Sequence, residues 1–523
     1  MIPVNSLQVG LADIASIAGV SLSAVSHWRK RYEDFPKANG DGSTGFLFDF
    51  EEIQAWLLEN GKIEEPVSKT KLLWKVADSL RTWWSVTNLT DFIISVLLIL
   101  EAHHRNTGNS SHLSSDSSWN EIMTANDDDL IPALIKAGKA VEKKYEALRG
   151  AVVDGLRQEG MPPANSIRQL LEVLAARNNE INSLLELFEE LLVRRSRVDR
   201  FAGEHDSPTS LCEMISSMVP EDAVTFCDPA MGTGQLLAAV SKLPRGNKDN
   251  WHFVGNELDP RAFREAQARF FLADLSCELK LEDAFDNDWI DNVGADAVVL
   301  QGTLGMRKWG SAEVLMSQRW PYGSPPATNA DFAWLQIALR ALGPRGVAFV
   351  VLPRGSLSSG SRQHNIREAM LRSGAVEAII SLPGRLLMET SIPVVVWVLR
   401  KDPEANKPLR VLFVDAKDAG DNGRSQVTLA KNAIQNLSKV IKTWLQTHEI
   451  DMNNETKAFS CSLDELDDSN LWRPFAKSGR IERPTRQKLE MESSDLRRDL
   501  VASLGEIHSS IAELSSWLEG SQQ

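Results

Sequence analysis

Between about residues 205 and 420 the chain repeats one pattern. A short apolar run is followed by an amphipathic stretch of helical spacing, then by another run. The runs are Val224–Cys227, His252–Gly255, Ala297–Leu300, Val347–Leu352, Ala378–Ser381, Val394–Leu399 and Val411–Val414. Each is short, apolar and bounded by polar or glycine-containing segments, as expected of a strand covered on both faces. Such strands separated by helices predict an α/β fold, a Rossmann-like doubly wound sheet. In open sheets of this kind ligands bind outside the carboxyl ends of the strands.

The first strand end is the most informative: Val224-Thr-Phe-Cys-Asp-Pro-Ala-Met-Gly-Thr-Gly-Gln-Leu-Leu237. Gly232 and Gly234 allow the backbone to approach a ligand closely. The next strand ends at Glu257, where a carboxylate can accept hydrogen bonds from two ribose hydroxyls. A third element leads to Glu282-Asp-Ala-Phe285, which places Asp283 to reach an adenine amino group with Phe285 beside it. A nicotinamide-binding fingerprint needs a G-x-G-x-x-G turn directly after the strand. Asp228–Gly234 lacks it, which argues against a dehydrogenase.

Asp228-Pro-Ala-Met-Gly-Thr-Gly resembles the first motif of S-adenosylmethionine-dependent DNA amino-methyltransferases, above all the modification subunits of type I restriction-modification systems. Gly203-Glu-His-Asp-Ser-Pro-Thr209 resembles the stretch that contacts the methionine end of the cofactor, with Ser207-Pro208 where the family usually has Thr-Pro. Ala330–Pro353, Asn365–Leu371, Ala378–Gly384 and Thr390–Lys401 continue the match in the family's order. The resemblance implies a cofactor site formed by Ser207, Pro208, Asp228, Pro229, Ala230, Met231, Gly232, Gly234, Glu257, Asp283 and Phe285.

One motif departs from the family. Its members carry Asn/Asp-Pro-Pro-Phe/Tyr after the fourth strand. There a base flipped out of the duplex gives its amino hydrogens to the Asn/Asp oxygen and the first proline's carbonyl. The aromatic ring stacks on the base. Here the strand Asp296–Leu300 is followed by Gln301-Gly302-Thr303-Leu304. Gln301 keeps an amide oxygen one methylene farther out. Gly302 and Thr303 replace both prolines, and Leu304 replaces a ring worth roughly 1–3 kcal/mol of stacking. Two readings follow: a subunit whose catalysis is impaired, or an active adenine methyltransferase that uses Gln301.

Residues 1–65 read as a helix-turn-helix unit. In Leu11–Arg31, Ala15 permits a close helix crossing and Gly19 a left-handed turn. Val25 and Trp28 pack the second helix on the first. Ser21, Ser23, Ser26, His27, Arg29, Lys30 and Arg31 then form a candidate DNA-facing set. Phe48–Leu57 resembles the last helix of excisionase-like and MerR-like winged-helix domains. Residues 1–60 nevertheless carry 4 basic and 8 acidic side chains, the reverse of most DNA readers, so docking to protein stays open.

Residues 66–200 read as a helical spacer with a serine-rich loop near 106–119. Apolar positions from Ile167 to Leu192 keep helical spacing with one gap at Asn178. Arg194, Arg195, Arg197 and Arg200 follow, as a solvated helix end or as phosphate contacts. Residues 201–425 form the expected methyltransferase domain and 426–523 a helical C-terminal arm. The arm's end, Leu496–Leu518, has coiled-coil-like spacing, for packing on its own domain or for specificity and other defence-system subunits.

The whole chain has 523 residues and a net charge of −14. Bulk charge therefore does not hold it on DNA, and any grip on phosphate is local or supplied by a partner. Cys212, Cys227, Cys277 and Cys461 are far apart, which argues against a zinc site or disulfide framework, and no metal is expected. The longest apolar run, Phe92–Leu100, is about half a membrane span. With no signal peptide read at the N-terminus, the expectation is a cytoplasmic protein with no membrane contact.

Overall fold

The computed structural model describes residues 8–38, 46–65, 69–107, 119–177, 183–198, 207–243, 250–286, 288–358, 360, 362–387, 391–401, 410–422, 426–450, 457–466 and 470–477. A nine-stranded sheet forms the centre. Its strands in chain order are β1 (Thr225–Asp228), β2 (His252–Glu257), β3 (Cys277–Leu281), β4 (Ala295–Gln301), β5 (Leu342–Pro353), β6 (Val376–Ser381), β7 (Val394–Arg400), β8 (Arg410–Asp415) and β9 (Lys457–Ser462). They lie in the order β3-β2-β1-β4-β5-β7-β6-β8-β9. Only β7 and β9 pair antiparallel to their neighbours. The chain winds outward from β1 to β3 and then returns to β4 beside β1. That reversal is the switch point at which such sheets open a crevice.

The apolar runs are continuous because both faces are covered. Phe226, Phe253, Val299, Phe349, Ile380, Val396 and Val414 pack on one side, against the helices Thr209–Met218 and Lys431–Thr447. Their chain neighbours Cys227, Val254, Val298, Val350, Ile379, Val395 and Phe413 pack on the other, against the helices Asp331–Ala341 and Arg362–Arg372. This is the period of two that a strand imposes.

Residues before the sheet form a second apolar core. It runs without a break from Val9 through Trp56 and Leu72 to Leu192, and takes in Ala268, Phe271 and Leu272 from the helix Pro260–Leu272. The N-terminal helices therefore share their core with the helical region that follows. Among the described residues one helix, Val86–Thr107, is long and apolar enough to cross a membrane. Its segment Phe92–Leu100 is buried within this core.

The expectation of a helical arm from residue 426 needs correction. A strand, Val427–Leu429, pairs with Gly420–Asn422, and after one helix β9 adds to the edge of the central sheet beside β8. The sequence of β9, Lys457-Ala-Phe-Ser-Cys-Ser462, is half-buried throughout and lacks the apolar run of an inner strand. The serine-rich loop, the gap at Asn178, Arg200 and the whole stretch from 478 to 523 lie outside the described residues.

Candidate cofactor site and catalytic turn

β1 delivers Asp228 to the crevice fully buried. Its Oδ1 accepts the Ala230 amide at 3.0 Å. Burial pushes this carboxyl well above the usual carboxylate range, the Ala230 amide opposes the rise, and neighbouring Glu257 adds to it. The turn that follows uses left-handed backbone at Gly232 (φ 57°) and Gly234 (φ 76°). A Cβ at Gly234 would stand 2.9 Å from the Phe270 ring. The glycine is therefore required twice, by its dihedral and by the helix beneath it.

Glu257 ends β2, buried, with its carboxylate spanning two segments. Oε2 accepts the Gly232 amide at 2.8 Å. Oε1 accepts the amides of Leu258 and Asp259, both at 2.8 Å. The residue read as a ribose acceptor is thus also the brace of the glycine turn. Asn256, which the sequence reading passed over, completes the brace. Its Nδ2 donates to the carbonyls of Pro229 at 3.2 Å and Glu282 at 3.0 Å, and its backbone carbonyl accepts the Met231 amide at 2.9 Å. One buried amide side chain near the end of β2 links the loops after β1 and β3. Asn256 Oδ1 is buried without a hydrogen-bond partner in the protein.

Asp283 is half-buried after β3, and its Oδ1 accepts the Phe285 amide at 2.9 Å. Phe285 is buried against Trp309 (centroids 4.7 Å apart) and Trp334 (4.3 Å). Ser207 stands at the rim, and Pro208 precedes the helix Thr209–Met218. Together with the turn after β1, Glu257 and Gln301–Leu304, Ser207, Asp283 and Phe285 line one cavity of about 620 Å³. Leu258 and Ile392 are exposed at its edge. All the residues expected for the cofactor line the cavity except Pro208 and Gly234.

The turn after β4 enters the same cavity. Gln301 ends the strand with Oε1 buried and unpartnered in the protein. Gly302 is buried under Trp334, and a Cβ there would lie 2.7 Å from the indole Cε2 and Nε1. Trp334 comes from the helix Asp331–Ala341 and is 5% exposed. Thr303 is exposed and Leu304 half-buried. The indole therefore takes the space over position 302 where a proline ring would stand. Sequence reasoning missed this pairing because residues 302 and 334 are separated by 31 others.

At the N-terminus the helices Leu11–Ala18 and Leu22–Arg31 are joined through Gly19 (φ 66°). The proposed DNA-facing set divides. Ser23, His27, Lys30 and Arg31 are exposed and Ser26 is half-buried. Ser21 caps its own helix by accepting the Ala24 amide. Arg29 lies 3.5 Å over the Phe46 ring. The later arginines are also committed: Arg194 stacks on Trp74 and pairs with Asp78 at 3.2 Å, and Arg195 is buried against Glu265. The phosphate-contact alternative is therefore set aside for Arg195, which is 2% exposed. Among the described residues no cluster of His, Cys, Asp and Glu is arranged for a metal ion.

Residues 180–475 match the family described as N-6 DNA Methylase. The chain belongs to the N-6 DNA methylase family. It is 27% identical over 241 residues to the HindI type I restriction enzyme methylase subunit of Haemophilus influenzae, covering 45% of this chain and 54% of that one. To the MjaVIII methylase subunit of Methanocaldococcus jannaschii it is 23% identical over 360 residues, 64% and 61% of the two chains. This chain spans about half the length of the first of these relatives. The structure of a type I methyltransferase subunit from Streptococcus thermophilus superposes with a TM-score of 0.62 at 20% identity, over 77% of this chain and 97% of that one. At that identity the likeness shows the fold, that of S-adenosylmethionine-dependent methyltransferases. S-adenosylmethionine is the cofactor of this N-6 DNA methylase family member. The cavity suits it: two carboxylates at neighbouring strand ends, glycine backbone in reach, and a buried acceptor without a protein partner at Asn256.

Proposed function

We propose that this chain is a DNA-engaging, S-adenosylmethionine-binding subunit of a restriction-modification or phage-defence system, with methyl transfer to adenine strongly impaired. The observation that carries the reading is the closure of Gly302 by Trp334. Direct transfer to an exocyclic amine depends on holding the amine in line with the donor methyl. The family uses a rigid proline turn and a stacking ring. Here the turn has neither proline, and the indole occupies the space beside it.

On this reading the chain's own groups keep the cofactor role. Glu257 faces the ribose hydroxyls and Asp283 the adenine amino group. Asp228 and the Gly232 turn shape the wall beside them, and Ser207 lies toward the methionine end. The bound cofactor would supply an electrophilic methyl group. Exposed His27, Lys30 and Arg31 form the DNA-facing edge of a helix-turn-helix. The net charge of −14 favours work inside a complex, in which a more basic specificity subunit meets the phosphates. Residues 478–523 are the proposed contact for that subunit or for other defence-system subunits, in the cytoplasm and away from membrane.

A second reading has one observation in its favour. Gln301 Oε1 is a buried acceptor aimed at the same cavity and left without a protein partner, as an acceptor for a substrate amino group would be. Active transfer through Gln301 is therefore the alternative. Titration with S-adenosylmethionine followed by tritiated methyl transfer to mixed-sequence DNA, with and without companion proteins, separates them. Binding without transfer supports impairment. Transfer that disappears in Gln301→Ala supports the alternative. Restoring Asn-Pro-Pro-Phe at 301–304 must be combined with Trp334→Leu, because the indole blocks a proline at 302.

A further inference from the structure

The helix Pro260–Leu272 carries two ion pairs to the helix Ser183–Val198 of the N-terminal helical region. Arg195 and Glu265, 2% and 3% exposed, meet through both terminal guanidinium nitrogens, Nη1 and Nη2. One turn along, Arg269 meets Glu189, with Nε to Oε1 at 3.0 Å and Nη2 to Oε2 at 2.9 Å. Burial alone raises the Glu189 carboxyl. The Arg269 charge, the Arg269 hydrogen bond and the Lys242 charge together outweigh that and hold it below the ordinary range. The two pairs differ in what else they touch. Arg269 Nη1 reaches the cofactor loop, donating to Thr233 Oγ1 at 2.7 Å and to the Thr233 carbonyl. Thr233 is fully buried and stands between Gly232 and Gly234.

A loop with left-handed backbone at two glycines has little stiffness of its own. A guanidinium is a rigid planar fork. Fixed at two nitrogens by Glu189, it holds the third on Thr233. We propose that Arg269 is a positioning residue for the cofactor loop and that Glu189 sets its aim, making the helical region a working part of the cofactor site. The proposal rests on the reading that the cavity binds S-adenosylmethionine. It follows that a partner or DNA that shifts Ser183–Val198 changes cofactor affinity, and that cofactor changes affinity for that partner by the same factor.

The neighbouring ion pair supplies a matched control. Glu265→Gln disturbs the same two helices at a carboxylate whose hydrogen bonds go to Arg195. In full-length protein, calorimetric titration with S-adenosylmethionine is expected to show at least tenfold weaker binding for Glu189→Gln and Arg269→Met. Glu265→Gln is expected to lower the melting temperature and keep its dissociation constant within about threefold of wild type. Hydrogen exchange at residues 231–235 in cofactor-free protein is expected to speed up in the first two variants and not in the third. Equal affinity and unchanged exchange in Glu189→Gln would overturn the proposal. So would losses that follow melting temperature alike in all three variants. If wild type itself fails to bind, the cofactor reading falls, and exchange at 231–235 still decides whether the tie orders the loop.

Discussion

Gly302 and Trp334 have to be read together. A side chain at 302 of any size meets the indole, with the first contact at 2.7 Å, and core overpacking of this kind costs about 1–3 kcal/mol. Gly302→Ala is expected to destabilise by that amount in denaturant titration, with part recovered when Trp334→Leu is added. The sequence shows the absence of proline but not its structural counterpart, because the partner arrives from a helix whose own pattern reads only as core. A similar limit applied to Glu257. Its position after the second strand marks it as a ribose acceptor, while its three backbone donors become visible only once β1 and β2 lie side by side. Hydrogen bonds to a charged group contribute about 1.5–3 kcal/mol each. Glu257→Gln is therefore expected to weaken S-adenosylmethionine binding at least tenfold and to lower stability in the cofactor-free protein, both measurable on one sample by titration and thermal melting.

The inner strands were legible from their apolar runs because burial on both faces leaves little choice of residue. The edge strands were not. β9 is half-buried and mixes serine with lysine, so it carries no apolar run, and the helix before it led the reading toward an arm. Its pairing along the whole of β8 makes it structural. A chain ending at 450 is expected to expose the β8 edge and aggregate. One ending at 477 retains β9 and is expected to keep the β8 edge covered and not to aggregate, while losing any partner held by the final residues. Size-exclusion chromatography distinguishes the two.

Across the whole chain, one core from Val9 to Leu192 crosses the boundary at residue 65 that the helix-turn-helix motif led one to expect. Deleting the first 60 residues would strip that core, so the N-terminal role in DNA binding is better tested by His27→Glu, Lys30→Glu and Arg31→Glu. These are expected to weaken DNA binding and flatten its salt dependence without changing the melting temperature. The same packing creates a pH dependence. Burial pushes the Glu172 carboxyl up to about 6, with Arg168 opposing and Asp13 adding to the rise. A carboxyl raised in the folded state favours folding when protonated, below about pH 4.5, and that contribution is lost as pH climbs through 6. In denaturant titration Glu172→Gln is expected to match wild type in stability at pH 4.5 and to exceed it above pH 7 by on the order of 1–2 kcal/mol.

On the function proposed above, cofactor binding has outlasted methyl transfer. This is tested most directly by one preparation of the full chain with its co-purifying subunits, saturated with tritiated S-adenosylmethionine and mixed with adenine-containing DNA under single-turnover conditions. Stoichiometric retention of the cofactor is expected, with no label in DNA above that of a Gln301→Ala control. Label transferred to adenine by wild type and abolished in Gln301→Ala would contradict it.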